Sequence, residues 1–313
     1  MSEFVIIPDS SCDLNASLRE RFQIPNYLRG IVYCPDGRQM QADMDWNEIE
    51  PEEYYESMKG KSDVLYKTAF ATQSEMEKVL IPFLEEGKDV LLLALSSGLS
   101  GTYQFFTLTA KHLMEKYPER KILCVDSLRY STAIAILLIC ANEMKAKGAS
   151  IEETANYLNK IRHNIHQIGP LDDLYFCVKT GRISNMKAFF GTMVGVHCLA
   201  EFNRKGMPEV IGKVKGKQSA LRATLAYIKE SIRNPEEQIV FVAHSNRKEY
   251  AEQLAENIRN EIKPKEVVVN SVGMSCGASI GPGLIAAYFL GDEMTEDLSV
   301  EKENLGKVLK NTK

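Results

Sequence analysis

Short unbroken apolar runs, separated by helix-length segments, set the rhythm of the first half of the chain. Phe4-Val5-Ile6-Ile7, Val90-Leu91-Leu92-Leu93-Ala94-Leu95 and Ile122-Leu123-Cys124-Val125 have no polar alternation. Such runs read as strands of a parallel sheet covered on both faces. Each run ends in small hydroxyl residues, two of them beside an Asp: Asp9-Ser10-Ser11, Ser96-Ser97-Gly98-Leu99-Ser100-Gly101-Thr102 and Asp126-Ser127. Open parallel sheets take their ligands beyond the carboxyl ends of the strands. Three strands would thus deliver hydroxyls to one edge, where together with loop N–H groups they could hold a carboxylate or a phosphate.

The intervening segments supply helices and loops. The first strand leads to a helix near Asn15 to Phe22, then to a polar, irregular stretch from Gln23 to Trp46. Asn47 and Pro51-Glu52-Glu53 open an acidic helix start that suits the helix dipole. Lys67-Thr68-Ala69-Phe70-Ala71 reads as a loop, and Thr72 with Glu75 as a capping box for a helix that stops at Gly87. A helix carries Tyr103 to Tyr117. The segment from Ser131 to Ala141 is apolar all round, so its helix is buried on every side. It is either a packing helix or a wall of a long apolar cavity. Gly148 stops it, and Ser150 with Glu153 caps the next helix.

Around Gly169-Pro170 the pattern changes. It predicts a strand over 174–178, a short helix through Phe190, and strands 196–202 and 209–214 joined at Asn203-Arg204-Lys205-Gly206. Helix 219–232, strand 239–243, helix 248–262, strand 266–272 and an apolar helix over 283–290 follow. A hairpin within an α/β pattern implies a mixed sheet. The expectation is a two-domain α/β protein: a parallel-sheet, Rossmann-like domain over 1–165, a mixed-sheet domain over 166–291, and a polar tail over 292–313, peripheral helix or partly disordered.

Charge and composition narrow the function classes. Charged residues are 26% of the 313 and the net charge is −4, which argues against a chain-wide basic surface for nucleic acid. The start, Met1-Ser2-Glu3-Phe4, lacks the basic start and small-residue cleavage site of a secretory signal, and the longest apolar run, Ala133 to Ala141, is too short to span a bilayer. A cytoplasmic location is expected. Seven dispersed cysteines without a C-x-x-C pair read as reduced thiols rather than metal ligands. His163 and His166 read as surface residues.

Four places could carry chemistry. The Ser96–Thr102 loop opens a helix, where free N–H groups favour an anion; its bland reading is a tight turn with serine caps. No Lys follows its glycines and no G-x-S-x-G is present, so it is neither a Walker loop nor a hydrolase elbow. Arg182, on the turn Lys179-Thr180-Gly181-Arg182, could grip a carboxylate or phosphate with two hydrogen bonds, or cap a helix. Lys213, Lys215 and Lys217 alternate and would share one face of a strand. Ser279-Ile280-Gly281-Pro282-Gly283 is a constrained turn at the entry to the last apolar segment.

The order of these motifs resembles the DegV family of bacterial fatty-acid-binding proteins. The landmarks are Asp9-Ser10-Ser11-Cys12-Asp13-Leu14, Ser96 through Tyr103, Val125-Asp126-Ser127, Gly181-Arg182-Ile183-Ser184, Gly212-Lys213-Val214-Lys215-Gly216-Lys217 and Gly281-Pro282-Gly283, reaching to about Leu290. The resemblance implies a two-domain protein that buries one long-chain fatty acid between its domains and needs no cofactor. It also implies a carrier without a complete active site, which presents the acyl carboxylate to a separate ATP-binding fatty acid kinase subunit. The family's carboxylate-binding Thr falls on Thr68, with Ala69-Phe70-Ala71 departing from the pattern, and the second contact falls on Ser97 or Ser96. Arg182, with Lys213 and Lys215, would face the headgroup and the partner. The family commonly has His two positions before its Gly-Pro-Gly turn; here that position is Ser279, whose neutral hydroxyl would take the place of the His at the carboxylate. Candidates for the acyl tunnel are Ile134, Leu137, Phe189, Phe190, Met193, Phe241 and Ile285. Two alternatives stand beside the carrier reading: a lipid-responsive interaction protein without kinase coupling, and a serine-loop hydrolase.

Overall fold

The computed structural model describes residues 3–60, 64–183 and 195–311. They divide into two compact units, one drawn from Met1–Glu48, Tyr66–Arg162 and Gly273–Ser275, the other from Ile49–Leu65, His163–Val272 and Cys276–Lys313.

The first unit is built on the apolar runs. Strand β1 (Phe4–Pro8) is followed by helix α1 (Ala16–Arg21) and the antiparallel strands β2 (Gly30–Tyr33) and β3 (Gln39–Ala42). Helix α2 (Pro51–Met58) belongs to the other unit. Strand β4 (Lys67–Ala69), helix α3 (Gln73–Glu85), β5 (Asp89–Ala94), helix α4 (Thr102–Lys116) and β6 (Ile122–Asp126) come next. Helices α5 (Thr132–Ala146) and α6 (Ile151–Ile161) close the unit. Strands β1, β5 and β6 pair in parallel with β5 in the middle. All six positions of β5 are buried, because helices lie on both of its faces, and that is why its sequence does not alternate. Ile7, Leu28, Met76, Leu80, Leu92, Phe106 and Leu113 fill one core.

Two expectations fail here. The polar stretch from Gln23 to Trp46 contains the β2–β3 hairpin, and Lys67–Ala69, read as a loop, is edge strand β4 on β2. Both strands of the hairpin are short and half exposed, so they lack the apolar run that marks a covered strand. The Thr72 hydroxyl does accept from the Glu75 N–H, and Ser150 with Glu153 forms a complete capping box.

Besides α2, the second unit holds strand β7 (Ile165–Leu171), helix α7 (Tyr175–Lys179), β8 (Val196–Phe202), β9 (Pro208–Lys215), helix α8 (Lys217–Ser231), β10 (Ile239–His244), helix α9 (Lys248–Glu261), β11 (Glu266–Ser271), helix α10 (Met274–Ile280) from Cys276 onward, β12 (Ile285–Leu290) and helix α11 (Ser299–Asn311). The sheet order is β11-β10-β12-β7-β8-β9, parallel only between β10 and β11. Ile168, Leu221, Tyr227, Leu254, Phe289 and Leu305 share its core.

Three element assignments are corrected. The run over 283–290 is not a helix but β12, a central strand; a continuous buried apolar run has no period to separate the two. The run over 174–178 is helix α7, whose Tyr175 N–H is held by the Asp173 carboxylate at 2.8 Å. The true strand, β7, carries His166, Gln167, Gly169 and Pro170 and is buried at every position. The expected short helix through Phe190 lies outside the described residues. The polar tail carries α11, which packs on α8 and β9.

His166 is not a surface residue. It is 2% exposed; its Nδ1 lies 3.1 Å from Glu201 Oε2, its Nε2 3.0 Å from the Asp292 carbonyl, and its ring stacks on Phe289 at 5.2 Å. Glu201 Oε1 accepts the Gln167 and Phe202 N–H groups, each at 2.8 Å. A buried carboxylate is tolerated here because all of these partners are in place.

Gly169 sets how closely β7 and β12 approach. A Cβ there would lie 2.0 Å from the Ile285 carbonyl oxygen and 2.6 Å from Ala286 Cα, both backbone atoms that cannot turn away. We expect Gly169→Ala to lower unfolding stability by about 3 kcal/mol or more, read as a lower urea midpoint. A midpoint unchanged from the parent would show that the strands spread without cost.

Candidate ligand site

The carboxyl end of the parallel sheet is a web of buried hydroxyl and carboxylate groups. After β1, Asp9 Oδ1 accepts the Ser11 N–H at 2.8 Å and the Ser11 hydroxyl, while Oδ2 accepts the Leu95 N–H at 2.8 Å. One side chain thus ties the ends of β1 and β5. Burial raises the Asp9 pKa, and the hydrogen bonds from Ser11 and Leu95 oppose the rise.

After β5, the Ser96 hydroxyl accepts the Gly98 N–H at 3.1 Å, and Ser96 is fully buried. The Ser97 N–H donates to Asp126 Oδ1 at 3.0 Å, as does the Leu128 N–H at 3.1 Å. Asp126, at the end of β6, therefore holds the serine loop in place. The Ser100 hydroxyl accepts the Thr102 N–H, the first of α4, at 3.3 Å and pairs with the Thr102 hydroxyl at 2.8 Å. Among the described residues, the half-buried Ser97 hydroxyl has no hydrogen-bond partner.

Thr68 sits on β4 opposite Val32 and is exposed, its hydroxyl likewise without a partner among the described residues. The strand is tied to the serine loop through Phe70, whose ring meets Phe105 of α4 at 4.6 Å and lies 3.7 Å from where a Cβ on Gly101 would be. Thr68, Ser96 and Ser97 all belong to the first unit. Ile134 and Leu137, on α5, are fully buried in the same unit.

The other candidates lie in the second unit. The Ser279 hydroxyl donates back to the Cys276 carbonyl at 3.1 Å within α10, so its proton is already engaged. Gly281 and Gly283 both have positive φ, and a Cβ on Gly281 would strike the Phe176 ring. Arg182 is exposed and its guanidinium folds back on the Thr180 carbonyl. Lys213 and Lys215 are exposed on edge strand β9. Lys217 departs from the expected alternation: it begins α8 and turns to Asp172, 3.2 Å away. Ile285 is in the helix-covered core and Phe241 is fully buried in β10. Phe189, Phe190 and Met193 lie outside the described residues.

Sequence reading passed over a second pair in the first unit. Asp13 and Ser131 both have positive φ, at 54° and 56°, a conformation that costs a non-glycine residue free energy. The Ser131 hydroxyl donates to Asp13 Oδ2 at 2.5 Å, and the Gly273 N–H also serves this carboxylate. Burial pushes the Asp13 carboxyl up to about 7; the two hydrogen bonds oppose the shift and the Asp9 charge adds to it. Nearby Arg129 is fully buried, with Nη1 donating to the Leu128 carbonyl at 2.8 Å. Only the position of Asp13 in the first motif hinted at this pair.

Residues 3–292 match the family profile described as "Uncharacterised protein, DegV family". The chain belongs to the DegV family. It is 30% identical over 292 residues to a DegV domain-containing protein of Clostridium perfringens, covering 93% of this chain and 99% of that one. It is 28% identical over 287 residues to a protein of Thermotoga maritima called a fatty acid-binding protein, covering 90% and 95%. A solved structure described as fatty acid binding of a DegV family protein from Thermus thermophilus shares the fold, with a TM-score of 0.80, 24% identity, and 93% and 100% coverage. The DegV fold is thus that of a two-domain α/β protein, with the parallel and mixed sheets described above.

Asp13 gives the first unit a pH dependence of definite sign. Its folded pKa lies above its unfolded value of 3.8, so the folded state keeps a proton that the unfolded state has lost. Stability from this group is present below about pH 4 and is lost as pH rises towards about 7. Asp13→Asn removes that loss. The stability of the variant relative to the parent should therefore rise between about pH 4 and about pH 8, by up to about 4 kcal/mol. Urea denaturation at the two pH values checks it; a constant difference would place Asp13 ionised throughout.

Proposed function

We propose that this DegV protein binds one long-chain fatty acid in the cytoplasm and presents its carboxylate to a separate ATP-binding kinase subunit for acyl phosphate formation. The observation that carries the reading is the Ser96–Thr102 loop, held by Asp126 with the Ser97 hydroxyl left unpaired among the described residues, in a chain whose relatives include named fatty acid-binding proteins. The Ser97 and Thr68 hydroxyls hold the carboxylate, with Ser96 shaping the loop. A carboxylate leaving water costs several kcal/mol unless it gains hydrogen bonds, which these groups supply. Each buried methylene contributes about 0.8 kcal/mol, so the acyl chain provides the main driving force. The chain is a carrier, not the enzyme, and needs no cofactor. Ile134, Leu137 and Phe241, together with Phe189, Phe190 and Met193, are assigned to the acyl tunnel; Ile285, expected there as well, lies on the opposite face of the sheet from Phe241, in the helix-covered core. The first domain, 1–165, carries the hydroxyl loops and the second, 166–291, the basic residues.

A second reading, a lipid-responsive interaction protein without kinase coupling, is favoured by Ser279. It stands where the family commonly has His, and its hydroxyl is spent on the Cys276 carbonyl.

Native mass spectrometry of the purified protein should show one fatty acid per chain. Detection of the bare polypeptide alone, with no uptake of added palmitate, would overturn the binding reading. Thr68→Val should weaken a fluorescent fatty acid by about 1.5–3 kcal/mol, the worth of a hydrogen bond to a charged group, without a change in stability.

Arg182 and the Lys213/Lys215 pair act on the phosphoryl step, where positive charge beside the transferring group matters most. Arg182→Ala should retain bound lipid and lose phosphate transfer from a competent kinase subunit. Transfer that survives while lipid is lost would reverse the assignment. Absence of transfer in the parent, restored by Ser279→His, would establish the second reading and trace it to one position.

A further inference from the structure

The second unit holds a cluster of charge that the fatty acid reading does not use. Asp172 follows β7, and three basic side chains converge on its carboxylate. Arg247 Nε lies 2.7 Å and Lys217 Nζ 3.2 Å from Oδ2, and His197 Nδ1 lies 3.1 Å from Oδ1. These groups come from separate elements: the start of α8, the residue before α9, and β8. Lys217 also sits over the Tyr250 ring, 4.4 Å from its centroid. His197 is 8% exposed, and its Nδ1 touches Asp172 at 3.1 Å without a well-aligned hydrogen bond to it or to any other described residue.

The charges do not balance. Two permanent cations, Lys217 and Arg247, face one carboxylate, and the side chains of both are only 24% and 22% exposed, so solvent screens the excess weakly. Neither α8 nor α9 has a side-chain cap, and each begins with a lysine, Lys217 and Lys248, at the end where the helix dipole favours an anion. The nearby acids offset this only in part: Glu56 feels the Arg247 charge but is exposed and pairs with Lys59 at 3.0 Å and with the Asn246 amide at 2.7 Å, Asp173 is committed to the Tyr175 N–H, and Glu249 is an exposed first-turn residue of α9. Burial, more than any charge, lowers the His197 pKa, so the ring is biased to the neutral form, which carries one N–H donor.

We propose that Lys217, Arg247 and His197 form a binding site for a phosphate-class oxyanion, with Asp172 as its intramolecular competitor. A phosphate brings up to two charges and several acceptor oxygens where Asp172 brings one charge. The guanidinium fork and the lysine ammonium suit that geometry and charge. The site lies wholly within the second unit and does not depend on whether the chain carries a lipid.

Isothermal titration of the full chain at low ionic strength, with inorganic phosphate in one arm and methyl phosphate in the other, tests this. Saturable binding of one anion per chain is expected. Equal affinity in both arms points to the free ion, and tighter methyl phosphate points to a phosphate monoester. Lys217→Gln should weaken binding about tenfold or more while leaving fatty acid uptake unchanged. Asp172→Asn should tighten it, because it frees the two cations. A structural ion-pair network predicts the opposite for Asp172→Asn. Binding that falls in this variant while circular dichroism reports a folded chain overturns the proposal, as does the absence of saturable binding in the parent. Should Asp172→Asn fail to fold, the comparison of parent with Lys217→Gln decides: unchanged phosphate affinity rejects the site.

Discussion

Where a parallel strand ends inside a covered sheet, its next backbone N–H groups have lost their ladder partners, and side chains can accept from them in place of the ladder. Asp9, Asp126 and Ser96 do this here. Asp9 takes the Leu95 and Ser11 N–H groups, Asp126 takes those of Ser97 and Leu128, and Ser96 takes that of Gly98. The position of the serine loop follows from these bonds. The same residues that satisfy the backbone also decide which hydroxyls of the serine loop remain available, and among the described residues that is Ser97.

The second unit meets the same demand differently. Its central strands are antiparallel, so ladder bonds run through, and His166 of β7 is held by the Glu201 carboxylate and the Asp292 carbonyl. His166 and Glu201 hold each other and two backbone N–H groups in a site closed by Tyr227 and Phe289. Such a buried pair adds little net stability over an apolar pair, but removing one partner leaves a stranded charge. It therefore pins the register of β7 against β8, and Gly169 pins β7 against β12.

Function in this reading separates along chemical lines. Neutral hydroxyls in the first unit suit a carboxylate that must be bound and released. Permanent cations in the second unit, Arg182 and Lys213 on one hand and Lys217 and Arg247 on the other, suit groups of higher negative charge. The hydrophobic effect supplies affinity for a lipid, whereas electrostatics acts where charge is concentrated.

The sequence by itself determined the three parallel strands, the helices with clear caps, the hairpin about Asn203–Gly206 and the hydroxyl-bearing loops. Each rests on local chemistry: an unbroken apolar run, a Thr72 or Ser150 cap, a turn residue. The ordered motifs also pointed to the DegV family. Only the tertiary structure decided that Ile285–Leu290 is a strand, since an all-apolar run carries no period. The same holds for Ile165–Leu171, whose His, Gln, Gly and Pro look like loop residues until Glu201 is seen to pair with His166 and to accept the Gln167 N–H. Thr68 was placed only by pairing with Val32, and Asp13, Ser131 and the Asp172 cluster only by contacts between residues far apart in the chain. Local propensity reads through neighbours in sequence; a buried charge and its partner are neighbours only in space.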